Sequence, residues 1–175
     1  MIEHVILVNE MDEAVGTSEK IQAHLQGRLH RAFSIFIFDL QNRLLLQRRA
    51  DTKYHSGNLW SNSCCSHPRP GEATEVAAHR RLQEEMGFDC EIREVFNFVY
   101  CVELDNDLFE HEYTHTFVGV FDGEPNPSAL EVAEWKWVQP AFLTSDIAIN
   151  PGSYTYWFKE LWPRILAHGA TNQAT

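Results

Sequence analysis

The sequence predicts a single α+β domain, or a layered α/β one, built from mixed strands and a few helices. Three observations point there. The 175 residues suit one compact domain able to bury a core, and a hydrophobic content of 44% argues against disorder. Apolar runs of strand length outnumber helical patterns along the chain. Between them lies an irregular stretch over residues 50–71, rich in Ser, Asn, Gly and Pro; a loop that long inside a compact domain is usually functional.

Taken in order, "HVILVN" (4–9) reads as a short strand. "SEKIQAHL" (18–25) reads as a short helix with Ser18 as its N-cap. "AFSIFIFD" (32–39) and "RLLLQRR" (43–49) flank "LQN" and predict a hairpin. After the long loop, "EATEVAAHRRLQEEMG" (72–87) places Ala78, Leu82 and Met86 four apart, as the buried row of a helix, with Gly87 suited to the C′ position. "EIREVFNFVYCV" (91–102), "EHEYTHTFVGVF" (110–121) and "EWKWV" (134–138) read as strands. A closing helix is expected from Tyr154 to about Ala167, with Pro163 kinking it or marking an early stop. Residues 1–168 are thus expected to form one domain, and residues 169–175 a frayed tail.

The formal net charge of −11 argues against a nucleic-acid binder or a protein of anionic membranes. An anionic ligand would need a local cluster, and Arg43, Arg48, Arg49, Lys53 and Arg69 supply one. The first residues lack a basic n-region, so no signal peptide is expected, and no segment approaches the roughly 20 apolar residues of a membrane span. A cytoplasmic protein is expected. Its four cysteines would stay thiols in a reducing compartment, and a disulfide between the adjacent Cys64 and Cys65 would strain the peptide link.

The chemistry-bearing residues cluster around "NSCCSHPRPGE" (62–72). Most buried cysteines are inert packing residues. Cys65, two before His67, is the better candidate for a reactive thiol, because a nearby cation would favour its thiolate. Glu110 and Glu112 are two apart on a predicted strand, so both carboxylates share one face while His111 takes the other. That is either a solvated strand face or, with His24, His30 and His67, a five-ligand site of mixed N and O donors. Such a set suits Mn²⁺, Fe²⁺ or Zn²⁺ better than Mg²⁺ or Ca²⁺. On the helix, Arg81 and Glu85 stand four apart with Glu84 beside them, as a salt-bridged face or as a carboxylate holding Mg²⁺ against a diphosphate.

"SHPRPGEATEVAAHRRLQEEMGF" resembles a Nudix box, G-x5-E-x7-R-E-U-x-E-E-x-G-U. Glu72, Arg80, Leu82, Glu84, Glu85, Gly87 and Phe88 match it, whereas Ser66 stands at the first Gly and Arg81 at the first Glu of the core. The whole chain, from "HVILVNE" to the last helix, resembles the type I isopentenyl-diphosphate isomerases. "AHLQGRLHRAFSIFIF", "LLLQRRADTKYHSGNLWSNSCCSHP", "FEHEYTHTF" and "EWKWV" carry that resemblance.

The resemblance implies a Nudix-like mixed β-sheet between helices, with an N-terminal extension supplying metal ligands. It implies interconversion of isopentenyl and dimethylallyl diphosphate, on a small-molecule substrate and by a monomer or weak dimer. It implies a Mn²⁺- or Zn²⁺-type site of His24, His30, His67, Glu110 and Glu112. A second metal, Mg²⁺, is implied at Glu85 and the backbone carbonyl of Cys65. Cys65, Glu112 and Tyr100 are the implied catalytic residues. Lys20, Arg49, Lys53 and Arg81 are implied around the phosphates, with Trp157 facing the allyl centre. The alternative is a Nudix pyrophosphohydrolase of a nucleoside diphosphate derivative; Arg81 at a metal-holding Glu position counts against it.

Overall fold

The computed structural model describes residues 2–104 and 107–169. The strands are β1 (His4–Val8), β2 (Ala14–Glu19), β3 (His30–Phe38), β4 (Leu44–Arg49), β5 (Trp60–Ser61), β6 (Cys64–Ser66), β7 (Ile92–Glu103), β8 (Phe109–Val120) and β9 (Val132–Val138). The helices are α1 (Lys20–Leu25), α2 (Thr74–Met86), α3 (Pro140–Ile149) and α4 (Tyr156–Ala167). All the strands join one mixed sheet with β3 near its centre. β8 runs parallel to β3 along its whole length, while β1, β6 and β4 pair antiparallel with the opposite edge.

β3 is apolar along nearly all of its length because both of its faces are covered. Phe33, Ile35 and Ile37 pack under α2 with Ala78, Leu82 and Met86, the expected buried row. Phe36 and Phe38 point the other way, against Leu143 of α3 and Trp157, Phe158, Leu161, Trp162 and Ile165 of α4. The sheet is therefore sandwiched between helices, as the resemblance implies. Among the described residues, no helix is long and apolar enough to cross a membrane.

The structure corrects several boundaries. Ser18 is not an N-cap: it pairs with Val5 in β2, its hydroxyl donates to the Glu19 carbonyl, and α1 starts at Lys20 without a side-chain cap. Strand pairing with β1 has outcompeted the local capping bond. β2 escaped the sequence reading because it is an exposed edge strand with no apolar alternation. α3 escaped it too, although Pro140 at its start is a helix-initiating signal. Pro163 does not stop α4, which runs on to Ala167. Of the expected frayed tail, residues 170–175 lie outside the described residues.

Gly87 closes α2 in the left-handed conformation (φ 77°), with its N–H donating to the Gln83 carbonyl. A Cβ there would lie 2.1 Å from the Asn126 main-chain oxygen. Gly87→Ala must therefore bear both left-handed strain of about 1–2 kcal/mol and a displaced backbone. We expect a loss of about 3 kcal/mol or more, which lowers the thermal midpoint by roughly 6–12 °C in a domain of this size. Calorimetry checks this; a change under about 2 °C would mean that the segment at Asn126 yields freely.

Candidate active site

β3 is the spine of the site. His30 at its start lies in register with Glu112 of β8, and Ser34 lies between Cys65 of β6 on one side and Thr116 of β8 on the other. Tyr100 of β7 is in turn opposite Glu112. These residues share the sheet face covered by α4. Alternation along β8 buries Glu110, Glu112, Thr114 and Thr116 and turns His111 outward, as the two-residue spacing requires. A single cleft is lined by Lys20, Arg49, Lys53, Cys65, His67, Arg81, Tyr100, Glu110, Glu112 and Trp157. His24 and His30 are fully buried behind it, their rings against that of His67.

The two adjacent cysteines resolve by the same alternation. Cys64 is fully buried under α2, whereas Cys65 is half-buried against the α4 side. No disulfide joins them. Cys65 Sγ lies 3.1 Å from Asn62 Oδ1 and 3.4 Å from Ser34 Oγ. Apart from any bound cation, the surroundings of Cys65 disfavour the thiolate. Burial pushes the Cys65 thiol up to about 12, and Glu85's charge adds to that, against the opposing pull of Ser34, Arg49 and Asn62. With no cation bound, the thiol is the favoured form.

His24, His30, His67 and Glu112 bring one ligand atom each to within 4.8 Å of one another, and His24, His55 and Glu110 form an overlapping second group. The hydrogen bonds fix how the imidazoles face. His24 Nδ1 meets the Lys20 carbonyl at 2.8 Å and His30 Nδ1 meets the Arg28 carbonyl at 2.8 Å, so each Nδ1 must carry the proton. Both Nε2 atoms are then bare donors. His30 Nε2 faces His67 Nε2 at 3.3 Å, and His67 Nε2 also meets Glu112 Oε1 at 3.0 Å. Bare ring nitrogens converging on two buried carboxylates, with backbone carbonyls orienting the rings, form the donor set and outer shell of a divalent metal site. The residues fit such an ion.

Burial lowers all three imidazoles, His30 to about 4 and His67 further below its ordinary value with help from His30. The carboxylates divide. Burial raises Glu110, but His55 and Tyr100 outweigh it and leave this carboxyl below its ordinary range. Burial and then Glu110's charge push Glu112 well up. Tyr100 stands between them, its hydroxyl 2.6 Å from Glu110 Oε2 and 2.8 Å from Glu112 Oε2. One phenolic proton serves one acceptor, so the second contact needs a proton from a carboxyl. The arrangement that satisfies both has Glu112 protonated, donating to Tyr100, which donates to ionised Glu110.

Glu85 stands outside both ligand groups. It is buried, and its carboxylate takes Arg81 at 2.7 Å and Gln47 at 3.3 Å. Arg81 also reaches Glu131 at 2.9 Å, and Lys53 pairs with Glu131 as well. The rest of the box helix forms ion pairs: Arg80 clasps Glu72 through two nitrogens at 2.7 and 2.8 Å. Arg49 is buried over the Trp157 ring at 5.2 Å, and its Nε, like that of Arg81, has no acceptor. Two buried guanidinium N–H groups in the lining of one cleft suit an oxyanion. Trp157 is itself fixed, its indole N–H donating to Ser61 Oγ at 3.0 Å.

The sequence reading missed His55, Tyr54 and Glu131. His55 lies in the long loop that the sequence marks as functional, which was the available signal. Glu131 had none, since nothing local ties it to Lys53 or Arg81.

Residues 28–159 match the NUDIX domain family. The chain is similar to "Isopentenyl-diphosphate Delta-isomerase 2" of Aromatoleum aromaticum, at 49% identity over 99% of this chain and 92% of that protein. It is similar to the "Isopentenyl-diphosphate Delta-isomerase" of Burkholderia multivorans, at 54% identity over 90% of each chain. A crystal structure from Deinococcus radiodurans superposes with a TM-score of 0.78 at 23% identity, covering 93% of this chain and 98% of that one.

Proposed function

We propose a reaction from one premise: the chain belongs to the NUDIX domain family and, within it, to the isopentenyl-diphosphate Delta-isomerases. It interconverts isopentenyl diphosphate and dimethylallyl diphosphate. The observation that carries the mechanism is the placing of Glu112 and Cys65 on opposite edges of β3, facing one cleft. Moving the double bond requires a proton to reach the terminal methylene carbon and another to leave the methylene on the diphosphate side. An acid and a base at two separate points meet that need.

Glu112, held protonated and linked through Tyr100 to Glu110, is the acid. Cys65 removes the second proton. It does so as the thiolate, its own proton having passed to solvent before the substrate closes the cleft; the raised pKa makes that thiolate a strong base, and the thiol left after the transfer is the acid of the reverse direction. Between the two transfers the substrate carries a tertiary cation or something close to it. Water would trap that cation, so the site must be closed and apolar around it. Trp157 presents an indole held in place by Ser61, and cation–π attraction in a desolvated site is worth about 2 kcal/mol or more. Arg49, Lys53, Lys20 and Arg81 bind the diphosphate, and that binding energy serves positioning at the reacting carbons.

His24, His30, His67, Glu110 and Glu112 would hold a Mn²⁺- or Zn²⁺-type ion, and Glu85 with the Cys65 carbonyl would hold Mg²⁺. Bound there, the first ion would acidify the Glu112 carboxyl, and the second would meet the diphosphate and offset the Glu85 charge that raises Cys65. With Arg81 already on Glu85, that carboxylate would hold Mg²⁺ only with help from the substrate's diphosphate oxygens and water. The pairing of Arg81 with Glu85, where a hydrolase would place another metal-holding carboxylate, speaks against nucleotide hydrolysis. The same reading takes residues 1–168 as one cytoplasmic domain, a monomer or weak dimer, without nucleic acid or membrane.

The test is incubation with isopentenyl diphosphate, Mg²⁺ and Mn²⁺ or Zn²⁺ in deuterated water, followed by NMR. Dimethylallyl diphosphate carrying solvent deuterium is the expected product. Unchanged substrate with fully loaded metal would defeat the isomerase reading, and release of phosphate from nucleoside diphosphate compounds would establish the rival.

A further inference from the structure

We propose that His55 is a positioning residue for the His/Glu cluster, fixing the Glu110 carboxylate in the orientation that accepts the metal. The inference rests on the metal reading above and adds to it a residue outside the five ligands.

Glu110 offers two oxygens. Tyr100 engages Oε2 at 2.6 Å, and Oε1 lies 3.0 Å from His55 Nε2. A carboxylate held at one oxygen still swings about its χ3 torsion; a charged contact at the other narrows that swing. His55 is only 4% exposed, and its Nε2 lacks a hydrogen bond of good geometry despite that short distance. A buried ring nitrogen left in that state is unfavourable. The fold nevertheless directs it at the carboxylate, beside His24, with the ligand atoms of His24, His55 and Glu110 within 4.8 Å of one another.

The loop leaves the ring little choice of place. Ser56, next in the chain, is in the left-handed region (φ 51°), and a Cβ on Gly57 would lie 2.9 Å from the Asp51 carbonyl oxygen. Strain of that kind persists only where the surroundings over-determine it. The His55 carbonyl accepts from Arg49 at 3.2 Å, and its ring meets Tyr54 and Trp157 edge to face at 4.2 and 5.7 Å. One side chain thus joins the metal side of the cleft to its cation-binding side. Partners of metal-bound carboxylates act in this way: they hold the ligand rather than bind the ion.

The experiment measures Mn²⁺ and Zn²⁺ affinity by chelator competition for the wild-type chain, His55→Phe and His55→Gln, with thermal midpoints as the check on folding. His55→Phe keeps a ring against Trp157 and removes the nitrogens; it should weaken binding by about 10- to 100-fold. The His55→Gln side-chain amide places an N–H near the Nε2 position and should recover most of the loss. Affinity for His55→Phe within twofold of wild type would overturn the inference. So would a folded His55→Gln as weak as His55→Phe. A wild-type chain that binds neither ion would defeat the metal reading first, and this inference with it, before any variant is compared.

Discussion

Cys65→Ala and Glu112→Gln should each lower kcat by about 10²- to 10⁴-fold, the usual worth of a positioned acid or base. KM should move far less, because neither side chain belongs to the group of Arg49, Lys53, Lys20 and Arg81 expected at the diphosphate. Cys65→Ala removes a small half-buried group; Asn62 keeps its bonds to the Ile35 and Cys64 carbonyls, and the buried Ser34 hydroxyl loses its contact with Sγ. Glu112→Gln keeps the side chain's shape and leaves an oxygen for Tyr100. Folding is therefore expected to survive both changes. The two residues serve one passage of protons across one substrate, so their losses should not multiply. The double variant should fall near the weaker single variant, not at the product of the two losses. Steady-state rates with isopentenyl diphosphate decide this, and full activity in either single variant would remove that residue from the mechanism.

Much of this site was legible because strand geometry is simple. The spacing of Glu110 and Glu112 alone places both carboxylates on one face, and the structure buries both and turns His111 away. The sandwich came instead from the family resemblance, and the structure supplies its physical cause: β3 is apolar along nearly all its length because both faces are covered. What escaped was set by partners distant in sequence. Ser18 is of a residue type that caps helices and precedes a helical pattern, but Val5 offered strand pairing. Cys64 and Cys65 lay in a stretch read as irregular, where consecutive side chains diverge; what the sequence hid was the cause, the pairing of β6 to β3, which turns Cys64 to α2 and Cys65 to the cleft. The thiol's raised pKa comes from burial that spacing does not record. The ion pairs of Arg81 and Lys53 with Glu131 join residues 50 and 78 positions apart, and nothing near Glu131 announces them.

Removing the metal should affect activity and stability together, and the two effects have different causes. The cluster packs His24, His30, His67, Glu110 and Glu112 into a region nearly closed to water. An ion bound there and not by the unfolded chain adds RT ln(1 + [L]/Kd), about 4 kcal/mol at a thousandfold excess over Kd. Chelation should then lower the thermal midpoint by roughly 8–16 °C. In the stripped protein a pH effect follows. His30 titrates near 4 when folded, so the folded chain binds fewer protons than the unfolded one below the ordinary imidazole value. Stability is complete above about 6.5 and is lost as pH falls from there toward 4. His24 and His67, also lowered by burial, act in the same direction. Activity should vanish on chelation and return with Mn²⁺ or Zn²⁺. Mg²⁺ alone should not restore it, because three of the five donors are imidazole nitrogens, which Mg²⁺ binds poorly. Recovery of full activity with Mg²⁺ alone, after stripping verified by elemental analysis, would mean that the His/Glu cluster is not the catalytic metal site.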